Sequence, residues 1–263
     1  MALRAADDDP REIVRRALQL NARNDEIARS YTFIQRSERL ALDATGGVKH
    51  RESETWDITL LEGSPYRRLI QRDDKPLPPK EEQQEQAKLE RSNDERRRET
   101  PEQRSERIAA WERSRSRQQE QLKEVPDAFD FRLLGEEDVD GISTWVIEGT
   151  PHPGYKPRSR YSAFYGKMQG RIWVAKADYQ PVKFEAETTD TVSIGGFLAR
   201  VNKGTRIVVE YTRVNGEVWL PKHVGFRGAA RLLLVKGLHI DTELTFSNYK
   251  KFSVESRVVA QGQ

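Results

Sequence analysis

The residues that could do chemistry in this chain are few and scattered. Its four histidines, His50, His152, His223 and His239, show no metal-pair spacing, and no H-E-x-x-H helix occurs. Cysteine is absent, which excludes disulfides, thiolate metal sites and a thiolate nucleophile. No G-x-S-x-G elbow presents a serine, and no glycine loop is shaped to cradle phosphate; Gly195-Gly196 reads as a turn. Carboxylates are numerous but none stands out from a charged background. The composition therefore points away from a conventional enzyme, and no metal or cofactor is expected.

Charge is the next candidate for function. Arg96-Arg97-Arg98 and the series Arg113, Arg115, Arg117 could meet nucleic acid or anionic headgroups, but Glu90, Asp94, Glu95, Glu99 and Glu112 interleave with them and cancel the field. Net charge is only +3, and no nucleic-acid partner is expected. Lys156, Arg158 and Arg160, beside Tyr155 and Tyr161 in a proline-containing loop, have fewer acids nearby and are the better headgroup contacts.

The elements around these residues are mostly strands. In Leu238–Phe246, Leu238, Ile240, Leu244 and Phe246 alternate with His239, Asp241, Glu243 and Thr245. A period of two marks a strand with one face in a core and one in water. Val182, Phe184 and Ala186 repeat it, as do Ile207, Val209 and Tyr211, and Trp56, Ile58 and Leu60 against Thr55, Asp57 and Thr59. Strands are expected over about 31–42, 49–61, 66–72, 129–136, 142–149, 169–176, 181–190, 204–213, 217–227, 230–235 and 238–249. Gly46-Gly47, Gly63-Ser64-Pro65, Asp140-Gly141, Asn215-Gly216 and Lys236-Gly237 supply turns, the Asp-Gly and Asn-Gly pairs being tight-hairpin signals. The short links imply an antiparallel sheet, and no internal repeat is visible.

Helices are expected at 10–28, with Asp9 as cap, Pro10 at the first position and a stripe of Ile13, Val14, Ala17 and Leu18, and in a hairpin over 79–98 and 101–123. Between Lys80 and Glu124 there are 12 basic and 12 acidic residues in 45, without a glycine. This accounts for a charged fraction of 33% and predicts solvated helix faces. Only Ile108, Trp111 and Leu122, with Leu89 a weaker fourth, form an apolar edge that could act as lid contacts. The chain reads as one domain over 1–263, with the charged hairpin inserted at 76–126.

The apolar side of the sheet carries Trp56, Ile58, Leu60, Phe131, Leu133, Trp145, Ile147, Phe184, Val209, Tyr211, Leu244 and Phe246. The helical stripes are too narrow to cover it. A sheet of about eleven strands twists and coils, so the expected fold is mainly β with helices: a strongly curved antiparallel half-barrel with helices across its mouth. Either side chains fill its interior or an apolar hollow remains for a ligand. The residues above, Leu133 apart, are the candidate lining of such a hollow.

Gly170-Arg171-Ile172-Trp173-Val174 through Pro181-Val182-Lys183-Phe184-Glu185, the hairpin Asn215-Gly216-Glu217-Val218-Trp219-Leu220-Pro221, and an N-terminal helix followed by Tyr31-Thr32-Phe33 together resemble the LolA/LolB-like superfamily of bacterial envelope proteins. That superfamily includes lipoprotein carriers and RseB-type regulators. The resemblance covers most of the chain and implies a periplasmic protein that binds an acyl chain or a lipidated protein without catalysis. It also admits an envelope sensor or interaction module that uses the charged hairpin as a docking arm toward an envelope protein. The hairpin is longer and more polar than a carrier's lid, and Arg36, Arg39 and Arg51 compete for the carriers' functional arginine. Met1 to Pro10 has the look of a start residue joined to a mature end, with Ala5-Ala6 suited to signal-peptidase cleavage, so export with the leader removed is expected. The longest apolar runs are too short to span a bilayer.

Overall fold

The computed structural model describes residues 9–43, 47–159, 162–194, 199–232 and 238–252. Helix α1 (Pro10–Ala28) leads into β1 (Tyr31–Leu42), β2 (Val48–Leu61), β3 (Ser64–Arg72) and β4 (Lys75–Pro76). The inserted α2 (Pro79–Arg97) and α3 (Pro101–Leu122) follow, then the short α4 (Val125–Ala128). β5 (Phe129–Val139) and β6 (Ile142–Pro151) precede a 3₁₀ turn over Ser162–Lys167. The chain ends in β7 (Met168–Ala175), β8 (Pro181–Thr188), β9 (Val192–Ile194), β10 (Ala199–Val201), β11 (Arg206–Val214), β12 (Val218–Leu232) and β13 (Leu238–Lys251).

Eleven strands form one path, β4-β3-β2-β1-β13-β12-β11-β8-β7-β6-β5, with β10 on β12 and β9 on β10. Neighbours are antiparallel throughout the path. β4 and β5 end the sheet without closing it, which gives an open half-barrel of the α+β class.

The register shows why the hollow is apolar. One row runs Leu133, Ile147, Ile172, Phe184, Val209, Val224 and Leu244, from β5 across to β13. The adjacent row runs Arg132, Glu148, Arg171, Glu185, Val208, Gly225 and Glu243, and faces the other way. Successive residues of a strand point to opposite faces, so one face is hydrocarbon and the other mostly charge.

The turn residues close the hairpins as their types require. Glu62-Gly63, Asp73-Asp74, Asp140-Gly141 and Asn215-Gly216 all hold positive φ, the geometry of tight hairpin turns. The first lies one residue earlier than Gly63-Ser64-Pro65 suggests. Three other readings change. Residues 218–232 form one strand where two were expected, because Gly228 keeps its ladder position opposite Ile240 and permits close approach by Thr205. Thr55 is buried rather than solvent-facing, since β2 shifts register against β3 between Thr55 and Trp56. The short β4, β9 and β10 carry no periodicity long enough to read. The turns expected at Gly46-Gly47, Gly195-Gly196 and Lys236-Gly237 fall wholly or partly outside the described residues.

Helix α1 roofs one end of the hollow. Asp9 accepts a hydrogen bond from the Arg11 N–H at 3.0 Å, and Pro10 occupies the first turn. Ile13, Val14 and Ala17 are buried against Trp145, Ile147 and Val174. Each large side chain buried there contributes roughly 1.5–3 kcal/mol. The far end of α1 is held by polarity. β13 pairs with β12 from His223 onward, and the Asn24 amide takes both backbone groups of Trp219, each at 2.7 Å.

The charged hairpin docks by a different chemistry. Thr100 and Gln103 form a reciprocal capping box at the start of α3. Ile108 packs over Gly63, whose missing Cβ would stand 2.9 Å from its Cδ1. Arginines do most of the holding. Arg96 donates to the carbonyls of Leu61 (2.8 Å), Ser64 (3.1 Å) and Pro65 (3.3 Å), and Arg107 donates to Glu62 O (3.0 Å) and bridges to Glu99. Arg115 pairs with Asp25 of α1.

Candidate functional site

Two cavities lie in the hollow, one under each roof. The larger, of ≈ 350 Å³, sits beneath α1. Its floor is built from Phe131, Ile147, Ile172, Phe184, Ile207 and Tyr211, and its roof from Val14, Ala17 and Leu18. Leu122, Val125 and the aromatic pair Phe164 and Tyr165 close one end. The volume falls within the range of about 300–1,000 Å³ that small-molecule pockets occupy.

Small residues make the space. Phe131, Gly149, Gly170, Ala186 and Ile207 are consecutive partners across five strands. The middle three leave the floor with almost no side chain. Glycine within a strand weakens the ladder and often marks close approach by a ligand or by other backbone. At Gly170 the cause is backbone: a Cβ would lie 2.3 Å from Glu185 O. At Gly149 the nearest atom to an added Cβ is Phe131 Cε1 at 3.4 Å, so a side chain there would extend into the cavity.

The cavity is mostly apolar. Burial pushes the Tyr165 phenol up to about 12, and burial also raises Tyr211. The Tyr165 hydroxyl donates to Gln121 O at 3.1 Å, so its polar end is satisfied away from the apolar walls. Beside this end sits a buried carboxylate, Glu124. It accepts from the Tyr155 hydroxyl at 2.6 Å and from the Arg158 backbone N–H at 3.1 Å. Burial would raise its pKa, but hydrogen bonds from Tyr155, Arg158 and Ser162 outweigh burial and hold it below its ordinary value.

The smaller cavity, of ≈ 260 Å³, lies between the end of α1, α3 and β1–β3. Tyr31, Phe33, Ile58, Leu60 and Trp111 supply its apolar walls, and Arg29, Arg67 and Arg115 its cations.

The residues singled out from sequence divide between these places. Phe131, Ile147, Phe184, Tyr211 and Leu122 line the larger cavity, and Ile58, Leu60 and Trp111 the smaller. Val209 and Leu244 share the apolar row with Phe184 and are half-buried. Phe246 packs on Phe33 with ring centroids 5.8 Å apart. Trp56 lies under the Arg67 guanidinium at 4.6 Å. Trp145 belongs to the α1–sheet core and packs on Tyr179 at 5.0 Å. Ile108 sits toward the tip of the hairpin, over the Glu62-Gly63 turn and outside both cavities. Arg158 is paired with Asp127 at 3.0 Å, Lys156 is exposed, and Arg160 lies outside the described residues. The sequence reading set Ala186 on an apolar strand face and Gly170 in the family-like strand pair but gave neither of them, nor Gly149, a place in the lining, although glycine inside an alternating strand was the available signal. It also passed over Phe164 and Tyr165, in a segment assigned no element.

Among the described residues no group of three or more His, Asp or Glu is placed to hold a metal ion. No described helix is long and apolar enough to cross a membrane.

No family model matches the chain, and no curated protein matches it. Solved structures similar to it include a candidate outer membrane lipoprotein-sorting protein domain of Vibrio parahaemolyticus, at 14% identity over 93% of this chain and 95% of that one, with a TM-score of 0.35. A LolA superfamily protein of Nitrosomonas europaea is 14% identical over 93% and 94%, with a TM-score of 0.31. The Pseudomonas aeruginosa MucA/MucB complex matches at 9% identity over 93% and 99%, with a TM-score of 0.24.

Proposed function

We propose that this protein is a non-enzymatic binding protein of the bacterial envelope that holds an acyl chain, free or attached to a lipidated protein, in the cavity beneath α1. The observation that carries the reading is a mostly apolar space of ≈ 350 Å³ whose floor is cut out of an apolar sheet face by Gly149, Gly170 and Ala186. A core evolved only for packing fills such a gap, because voids cost stability in proportion to their size. The periplasmic location rests on the sequence resemblance. The single-domain reading, with the hairpin as an insertion, belongs to the same proposal.

Titration with palmitate tests it. Wild type should bind in one saturable step, and Gly149→Leu should lose binding while melting like wild type. Bare protein mass after gentle purification, together with no thermal stabilisation by palmitate, sinks the proposal.

A second reading is favoured by α2, which has no buried residue. A helix that lies along β3 by polar contacts and leaves its outer face in solvent suits a docking arm for an envelope protein. Replacing residues 80–118 with a short glycine-serine link should then remove a partner in pull-downs from envelope extract while the sheet stays folded. Recovery of the same partners with the shortened chain rules the arm out.

A further inference from the structure

We infer that the smaller cavity is a second and separate binding site, for a small organic anion with an apolar body, of the medium-chain carboxylate class. The walls offer Tyr31, Phe33 and Trp111 to an apolar body, while Arg29, Arg67 and Arg115 bring three cations and no carboxylate to the lining. Those cations are unevenly satisfied. Arg115 is committed to Asp25. Arg29 meets Glu112 only at 3.8 Å, and its buried Nε has no hydrogen-bond acceptor among the described residues. Arg67 stacks on Trp56 and has no carboxylate partner among the described residues.

A buried donor without an acceptor costs free energy, and an incoming carboxylate removes that cost. Guanidinium groups present planar donor forks that match a carboxylate in two-point contact. With Arg115 neutralised by Asp25 and Arg29 facing Glu112, Arg67 is the lining cation without a carboxylate, and it favours an anion over a cationic or neutral ligand. At ≈ 260 Å³ the space is below the usual range of about 300–1,000 Å³ for drug-sized ligands, so it suits one short chain and not a two-chain lipid.

Calorimetric titration of the full chain with octanoate, octanol and inorganic phosphate tests this. Read in the Gly149→Leu background, which closes the acyl cavity to octanoate and octanol alike, octanoate should bind at one site, octanol about tenfold more weakly or worse, and phosphate should neither saturate the site nor displace octanoate. Arg67→Gln should weaken octanoate about tenfold and leave octanol unchanged, with Arg67→Lys between the two. Gly149→Leu should leave octanoate binding intact, which separates this site from the acyl cavity. Equal binding of octanol and octanoate overturns the inference. So does displacement by phosphate, an unaltered octanoate affinity in a folded Arg67→Gln protein, or loss of octanoate binding in Gly149→Leu.

Discussion

One sheet face is roofed twice in this molecule, and the two roofs work by opposite means. Over β5–β8, α1 presses three buried apolar residues onto the sheet, and the space beside them is walled by hydrocarbon. Over β1–β3, the α2–α3 hairpin is held by Arg96 and Arg107 reaching backbone carbonyls at the Glu62-Gly63 turn, and the space beside α3 carries three arginines in its lining. Both halves share the same alternating strands. The two halves of the hollow differ in their lining: beside α1 it is mostly apolar, and beside α3 it carries Arg29 from the end of α1, Arg67 from β3 and Arg115 from α3.

The contrast breaks most readily at α1. Ile13→Ala removes a side chain that is 1% exposed and should cost about 2–5 kcal/mol, seen as a large drop in thermal midpoint. Trp111→Ala, at a half-buried contact of the other roof, should shift the midpoint far less. If the two substitutions cost the same, the distinction between the roofs fails.

The arginine latch comes next. Arg96 is partly buried, and burial followed by the neighbouring Arg107 lowers its pKa, so it is held by the carbonyls it serves and not by an ion pair. Arg96→Ala should cost about 1–3 kcal/mol locally, raising hydrogen exchange and proteolysis in 79–122 while exchange in β5–β8 is unchanged. Uniform exchange changes across both regions would contradict a separately held hairpin.

Acid should act at the Glu124 hub. A carboxylate held below its ordinary value near 4.5 stabilises the fold above that pH, and its contribution is lost as pH falls through the depressed value. Protection of the 155–162 segment should therefore weaken on acidification below about pH 4.5, with little change between pH 6 and 8. Glu124→Gln should flatten that response, and an unaltered acid profile would remove the hub from the account.

The smallest effect is expected at the exposed pair of Arg158 and Asp127. Arg158→Ala should change stability by less than about 1 kcal/mol, because exposed ion pairs contribute little.

Most of the frame was legible because alternation is a local signal. Phe184 and Val209 had to share a face once each strand was found, and the Asp140-Gly141 and Asn215-Gly216 turns fixed two hairpins. The hairpin helices lie within one residue of their expected ends for the same reason: Thr100-Pro101 and a run without glycine are local chemistry. What stayed hidden depends on cross-strand register. Gly149, Gly170 and Ala186 are far apart in sequence and become a trough only when β6, β7 and β8 align. Arg96 looked like part of a solvated basic cluster, since its carbonyl partners belong to a turn more than thirty residues away. Thr55 reads as a polar-face residue until a register shift carries it inward.

The sheet that holds all this ends at β4 on one side and β5 on the other. A closed barrel has a bore fixed by its strand number and stagger. An unclosed one has no such fixed circumference. Small changes of twist, shared along the path of strands, can widen or narrow the interior without breaking a ladder hydrogen bond. The width of the interior is thereby a property of the whole path of strands and not of barrel closure.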